Sequence, residues 1–181
     1  VQKVKIKTIK KWCKQILIGL NFLHKNNIVH RDIKCENIFI NGNTGNVFIG
    51  DFGLSKKITE KSRSVVGTPE FMAPEVYDEI YNESIDIYSF GMCLLEMLTN
   101  EKPYLECDTV GKVLKNVIND IKPKSLEQVM IPNAKEIISK CIQKDKNNRP
   151  SISEILDHAF FKNNDNDEEY IIINENSLCS S

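Results

Sequence analysis

The chain has 181 residues, of which 41% are hydrophobic and 27% charged, and its formal net charge is −1. That apolar share supports a packed core and excludes wholesale disorder, while the length suits one domain or part of a larger one. No apolar run approaches the roughly 20 residues of a membrane span, and residues 1–14 are too rich in lysine for a secretory signal.

The basic residues are 21 lysines and only three arginines, Arg31, Arg63 and Arg149. Against that bias each arginine invites a question, because a planar guanidinium with five donors does what an ammonium cannot. Residues 1–66 carry 13 basic and 4 acidic groups (+9), and 67–181 carry 11 basic and 21 acidic (−10). Six lysines fall between Lys3 and Lys14. They read either as an anion-binding patch or as a solvated helix face. With no aromatics interleaved on that face for stacking on bases, no nucleic-acid partner is expected. The six cysteines form no C-x-x-C pair and no zinc spacing, and several sit in apolar runs as buried free thiols do. A reducing, cytoplasmic setting is the expectation.

In chain order, Ile9, Trp12, Cys13, Ile16, Leu20 and Leu23 recur at helical spacing and predict an amphipathic helix over 6–24. Two β-type runs, 38–40 and 47–49, flank a Gly/Asn-rich turn at 41–46 and predict a hairpin. Residues 50–75 hold two prolines and no sustained period, which reads as one long loop, and such loops are usually functional. Residues 84–99 are apolar nearly all round and predict a buried central helix. Amphipathic helices follow at 110–121 and 134–142, then a capping box, Ser151 to Glu154, opens a last helix through about Phe160. The expected fold is mainly α with one small β-hairpin.

Chemistry-bearing residues cluster on the irregular segments: His30-Arg31-Asp32-Ile33-Lys34-Cys35-Glu36-Asn37 before the hairpin, Asp51-Phe52-Gly53 after it, and 67–75 at the end of the loop. A hairpin brings its ends together, so Asp32, Lys34, Asn37 and Asp51 should converge. Two carboxylates, an amide oxygen and a lysine in a small space suit a divalent cation that holds phosphates.

The H-R-D-x-K-x-x-N, D-F-G and A-P-E runs, in this order, resemble the catalytic half of protein kinases. The resemblance implies Asp32 as the base that accepts the substrate hydroxyl proton and Lys34 against the transferred phosphoryl group. It implies Asn37 and Asp51 as Mg2+ ligands and Phe39 as an apolar floor beneath the adenine of ATP. Asp86 matches the aspartate that holds the catalytic-loop backbone, and Glu75 with Arg149 matches a structural ion pair. Lys34 and the stretch 67–70 are similar to the serine/threonine branch. Residues 12–17, 30–40, 67–75, 90–93 and 158–161 together resemble the with-no-lysine (WNK) kinases over roughly residues 6–161.

The implied architecture is a protein-kinase-like C-terminal lobe over 1–161 with the N-terminal lobe absent, since neither a G-x-G-x-x-G loop nor a V-A-I-K lysine occurs. The implied reaction is transfer of the γ-phosphoryl of MgATP to protein Ser/Thr hydroxyls, with little turnover expected of this chain alone. Two alternatives stand beside it: a truncated or pseudokinase module that binds partners without catalysis, and a small-molecule phosphotransferase, against which 67–75 speaks. By the same resemblance Ser64 is the regulatory phosphorylation site, with Arg31 receiving the anion and Arg63 nearby. Gly53 and Leu54 occupy the place of an inhibitory chloride site, where Phe52 replaces the leucine usual in animal members. The tail 162–181 is read as acidic and irregular, with 170–173 as a possible first strand of a following domain.

Overall fold

The computed structural model describes residues 2–57, 65–78, 81–162 and 169–173. Its longest helix, α1 (Ile6–Lys25), buries Ile9, Cys13, Ile16, Leu17 and Leu20 along one stripe and leaves its lysines mostly outside. His24 and Lys25 close its last turn, where cations complement the carboxyl end of a helix. The stop comes at Asn27, whose φ of 57° no helix can continue.

α2 (Ser84–Thr99) is buried from Ile85 to Met97, as its apolar character on nearly every side requires, and Asn100 ends it with a left-handed φ of 54°. It packs on α4 (Pro132–Cys141) at close range. A β-carbon added at Gly91 would lie 2.7 Å from the Cys141 β-carbon and 2.9 Å from Ile142 Cγ2. Glycine is required there because the helix backbones approach too closely for any side chain.

α3 (Val110–Ile118) is capped by the Thr109 hydroxyl, which accepts the Lys112 N–H, and it buries Val113 and Val117. It stops three residues before the predicted 121, because Asp120 takes a φ of 59°. α5 (Ile152–Asp157) carries the predicted capping box between Ser151 and Glu154. It also ends early: His158 is extended, and its ring accepts the Phe160 N–H to cap a separate 3-10 turn, Ala159–Phe161.

The body is mainly helical with short strands, in agreement with the sequence, but the expectation of a single hairpin needs correction. β3 (Ile38–Ile40) and β4 (Val47–Ile49) form the predicted hairpin, with Phe39 opposite Phe48. Two further antiparallel ladders join distant segments: β2 (Ile28–Val29) with β5 (Lys56–Lys57), and β1 (Gln2–Lys5) with β6 (Tyr170–Ile173). A hairpin is marked by the turn between its strands, but ladders of two to four residues with partners far along the chain have no such local mark, and tertiary contacts specify them. β6 coincides with the 170–173 stretch that the sequence offered as a possible strand, here paired with β1, while the stretch 50–75, read as one long loop, holds β5 and 3-10 turns at Phe52–Leu54, Pro69–Phe71 and Pro74–Val76. Among the described residues no helix is long and apolar enough to cross a membrane.

One ion pair ties the loop end to the late helices. Arg149 is buried and grips Glu75 with both terminal nitrogens, at 2.5 and 2.7 Å. Its Nε donates to the Gln143 carbonyl, Nη1 to Ser84 O and Nη2 to Lys144 O, and the guanidinium lies 5.0 Å over the Tyr88 ring. A lysine has neither the plane nor the donors for that set.

Two substitutions test this packing by urea unfolding. Gly91→Ala should destabilise the chain by about 1–3 kcal/mol through overpacking. Arg149→Met should lower stability by about 3–5 kcal/mol, because Glu75 is left without its buried partner.

Candidate active site

The site is built on a backbone that one buried carboxylate holds in place. Asp86, 0% exposed, sits in the first turn of α2. Its Oδ2 accepts the His30 N–H and its Oδ1 the Arg31 N–H, both at 2.9 Å. His24 Nε2, from the end of α1, lies 2.9 Å from Oδ2. Arg31 has a φ of 71°, a left-handed conformation that costs a non-glycine residue about 1–2 kcal/mol and must be held from outside. The Asp86 bonds do the holding.

His30 extends the scaffold. Its Nε2 donates to the Gly50 carbonyl at 2.9 Å, which leaves Nδ1 to accept the Asp32 N–H at 3.4 Å. The Phe52 ring meets the His30 ring edge-on, with centroids 5.2 Å apart. The segments before and after the hairpin are thereby fixed to each other, and the Gly50 N–H adds a bond to the Asn37 carbonyl at 2.9 Å.

Of the four residues expected to converge, Lys34 and Asn37 contact Asp32, whereas Asp51 makes no hydrogen bond to the other three. Asn37 Nδ2 donates to the Asp32 carbonyl at 2.8 Å and to Asp32 Oδ2 at 3.1 Å. Lys34 Nζ lies 3.2 Å from the same Oδ2. Thr68, which the sequence did not single out, completes the group: its hydroxyl donates to Asp32 Oδ1 at 2.8 Å and accepts from Lys34 Nζ at 2.9 Å. A serine or threonine beside a glycine gives no sign in the sequence that it will cross to a residue 36 positions away. Gly67 makes the approach possible. Its φ is 125°, and a β-carbon there would stand 2.8 Å from the Arg31 carbonyl.

Asp51 lies at the hairpin exit with a left-handed φ of 53°, exposed, its Oδ1 accepting the Gly53 N–H at 3.2 Å. Phe39 is half-buried on the hairpin, its ring edge against Gly50. Among the described residues no three His, Cys, Asp or Glu side chains gather into a metal site. Asn37 and Asp51, which the sequence assigned to Mg2+, offer oxygen donors of the kind taken by a cation that draws most of its ligands from phosphates and water. Asn37 donates through its nitrogen, and its Oδ1 accepts no hydrogen bond from a described residue, while Asp51 keeps Oδ2 open in the same way.

Arg31 donates Nε to the Leu54 carbonyl at 2.5 Å and Nη1 to the Tyr81 hydroxyl at 3.1 Å. The Gly53 N–H serves the Asp51 carboxylate, so Gly53 and Leu54 do not present a pair of open N–H groups. Ser64 and Arg63 lie outside the described residues.

Beneath the loop lies a second polar group. Lys102 binds Glu36 Oε1 at 2.5 Å, and although burial works against the Glu36 charge, the ammonium keeps its carboxyl below the usual value. Burial pushes the Glu96 carboxyl up, and its Oε2 finds no hydrogen-bond partner among the described residues. The Cys35 thiol is pushed well up by its hydrogen bond with Cys93 and by burial, which makes it inert.

The profile of the protein kinase domain matches residues 2–161. The chain belongs to the protein kinase family. Over most of its length it is about half identical to WNK serine/threonine kinases. The serine/threonine-protein kinase Wnk of Drosophila melanogaster is 53% identical over 163 residues, covering 88% of this chain and 7% of the relative. Human WNK4 is 50% identical over 164 residues (89% of this chain, 13% of the relative). A probable WNK5 kinase of Oryza sativa subsp. japonica is 48% identical over 169 residues (91% and 51%). The chain therefore spans between 7% and about half of the length of these relatives.

If Asp86 sets the loop, Asp86→Ala should cost about 3–5 kcal/mol by freeing buried donors. Asp86→Asn should cost less, since one acceptor survives, and differential scanning calorimetry would rank the two.

Proposed function

We propose that the chain is the C-terminal catalytic lobe of a serine/threonine kinase of the WNK kind, spanning residues 1–161. The proposed reaction transfers the γ-phosphoryl of MgATP to a serine or threonine hydroxyl of a protein. The supporting observation is the Asp32 carboxylate, met by a hydroxyl on one oxygen and by Lys34 and Asn37 on the other. A carboxylate so oriented can accept the proton of a substrate hydroxyl as it attacks, and Lys34 stands where negative charge on the transferred group needs a counter-ion.

Asn37 and Asp51 would hold Mg2+, which supplies charge neutralisation to the phosphates when bound. Phe39 would lie beneath the adenine, its half-exposed ring offering an apolar face. Glu75, Asp86 and Arg149 shape the site without touching reactants.

In this reading Ser64 phosphorylation orders the loop through Arg31, whose guanidinium already anchors the backbone after Phe52. Chloride binding at Gly53 and Leu54 would require the anion to displace Asp51 from the Gly53 N–H. A reducing, cytoplasmic setting is supported by free cysteines at 13, 35, 93, 107 and 141, four of them buried.

A chimera tests the proposal, with this chain replacing the matched segment of the Drosophila kinase and γ-phosphoryl transfer to a protein substrate as the readout. Transfer should occur, and Asp32→Asn should reduce kcat by about 100- to 10,000-fold. Asp51→Asn should raise the Mg2+ concentration needed for half-maximal rate, and Ser64→Ala should abolish activation. A chimera as inactive as its Asp32→Asn variant would favour a partner-binding module.

A further inference from the structure

We propose that the basic groove between the N-terminal half of α1 and the hairpin turn is a docking site for an acidic peptide segment of a partner protein. The groove has a volume of about 590 Å3 and is lined by Lys7, Lys10, Lys11, Lys14 and Gln15 of α1 and by Asn46 of the turn. That size lies in the range of ligand clefts. None of its lining residues belongs to the Asp32 cluster, so the proposal stands apart from the kinase reading.

Three lysines of the groove, gathered on one helix face, meet no carboxylate among the described residues. Five surface lysines elsewhere have carboxylate partners: Lys102 with Glu36, Lys112 with Asp108, Lys122 with Asp120, Lys135 with Glu127 and Lys140 with Glu136. Lys7, Lys11 and Lys14 have none among the described residues. They fall at i, i+4 and i+7, one face of the helix, where like charges repel and cost stability unless an anion joins them. Four of the 13 basic residues in 1–66 are thus gathered at one place.

The groove is also built in advance. Gln15 bridges its two walls: its Oε1 accepts the Val47 N–H at 3.0 Å and its Nε2 donates to the Gly45 carbonyl at 3.5 Å. Lys10 is buried, with its Nζ on the Lys162 carbonyl at 3.1 Å and 5.2 Å over the Phe160 ring. The floor and one wall are therefore fixed before any ligand arrives, which lowers the cost of ordering on binding.

Lysine spacing selects the anion. Seven residues of helix separate Lys7 from Lys14 by about 10 Å. An extended peptide puts side chains on one face about every 6.7 Å, so carboxylates at alternate positions span the lysines. A bilayer is flat and cannot enter a groove, and Trp12, the aromatic of this part of α1, faces the core and offers no stacking surface to bases.

The experiment uses the 181-residue chain and a fluorescein-labelled ten-residue peptide alternating glutamate with serine, followed by fluorescence anisotropy at low salt. The chain should bind the peptide, and added salt should weaken binding. The triple variant Lys7→Glu, Lys11→Glu, Lys14→Glu should weaken it by about ten-fold or more, and an equal charge change at Lys112, Lys135 and Lys140 by no more than about two-fold. Gln15→Ala, which changes no charge, should weaken it about three-fold by loosening the wall. Thermal melts followed by circular dichroism check each fold, and the same three lysines changed to glutamine replace the charge reversal if that variant unfolds. Equal weakening by the two triple variants would overturn the proposal, since net charge alone would explain it. So would absence of peptide binding, or sedimentation with phosphatidylserine vesicles in preference to the peptide.

Discussion

A charge removed from water must find partners inside the protein, and Asp86 finds three. Left alone in the first turn of α2, its carboxylate would be costly to bury. With two backbone N–H groups and His24 as partners it becomes the fixed point of the site. It joins the end of α1 and the start of α2 to the loop between His30 and Asn37, and it holds Arg31 in a left-handed conformation. Everything the loop does afterwards, from the aim of Asp32 to the reach of Asn37, begins from that backbone.

The same logic runs outward through His30 and Gly67. His30 uses both ring nitrogens, one toward Gly50 and one toward Asp32, so the chain before the hairpin is registered on the chain after it. Gly67 lets the later loop pass close over the Arg31 carbonyl, which brings the Thr68 hydroxyl to Asp32 and Lys34. Segments far apart in sequence thus share one polar cluster, and Arg149 with Glu75 clamps the far end of the later loop to the helices behind it. The few arginines of a lysine-rich chain make sense in this light. Arg149 and Arg31 each satisfy acceptors in several directions at once, which an ammonium on a flexible stem does poorly.

Much of this was legible in the residues. α2 was readable because an apolar run of that length has to be buried, and the capping box at Ser151 marked a helix start by its own chemistry. The cluster of Asp32, Lys34 and Asn37 was readable because their order and spacing, with a hairpin following, leave few ways to arrange them. The short ladders were not readable: β2 with β5 and β1 with β6 are pairings of two to four residues whose partners lie far along the chain. Early helix ends at Ile118 and Asp157 were missed because Asp120 and His158 leave the helix through their backbone conformation, not through an obvious breaker.

By itself the sequence determined that the chain is mainly helical, which face of each long helix is apolar, and which polar residues fall on irregular segments, because periodicity and residue type are local properties. Only the tertiary structure decided what those residues touch. Thr68 joined Asp32, His30 reached the Gly50 carbonyl, and Gln15 braced the hairpin turn against α1, each through a contact between segments distant in the chain. Directed hydrogen bonds depend on positions to within a few tenths of an ångström. Only the packed core fixes positions to that precision.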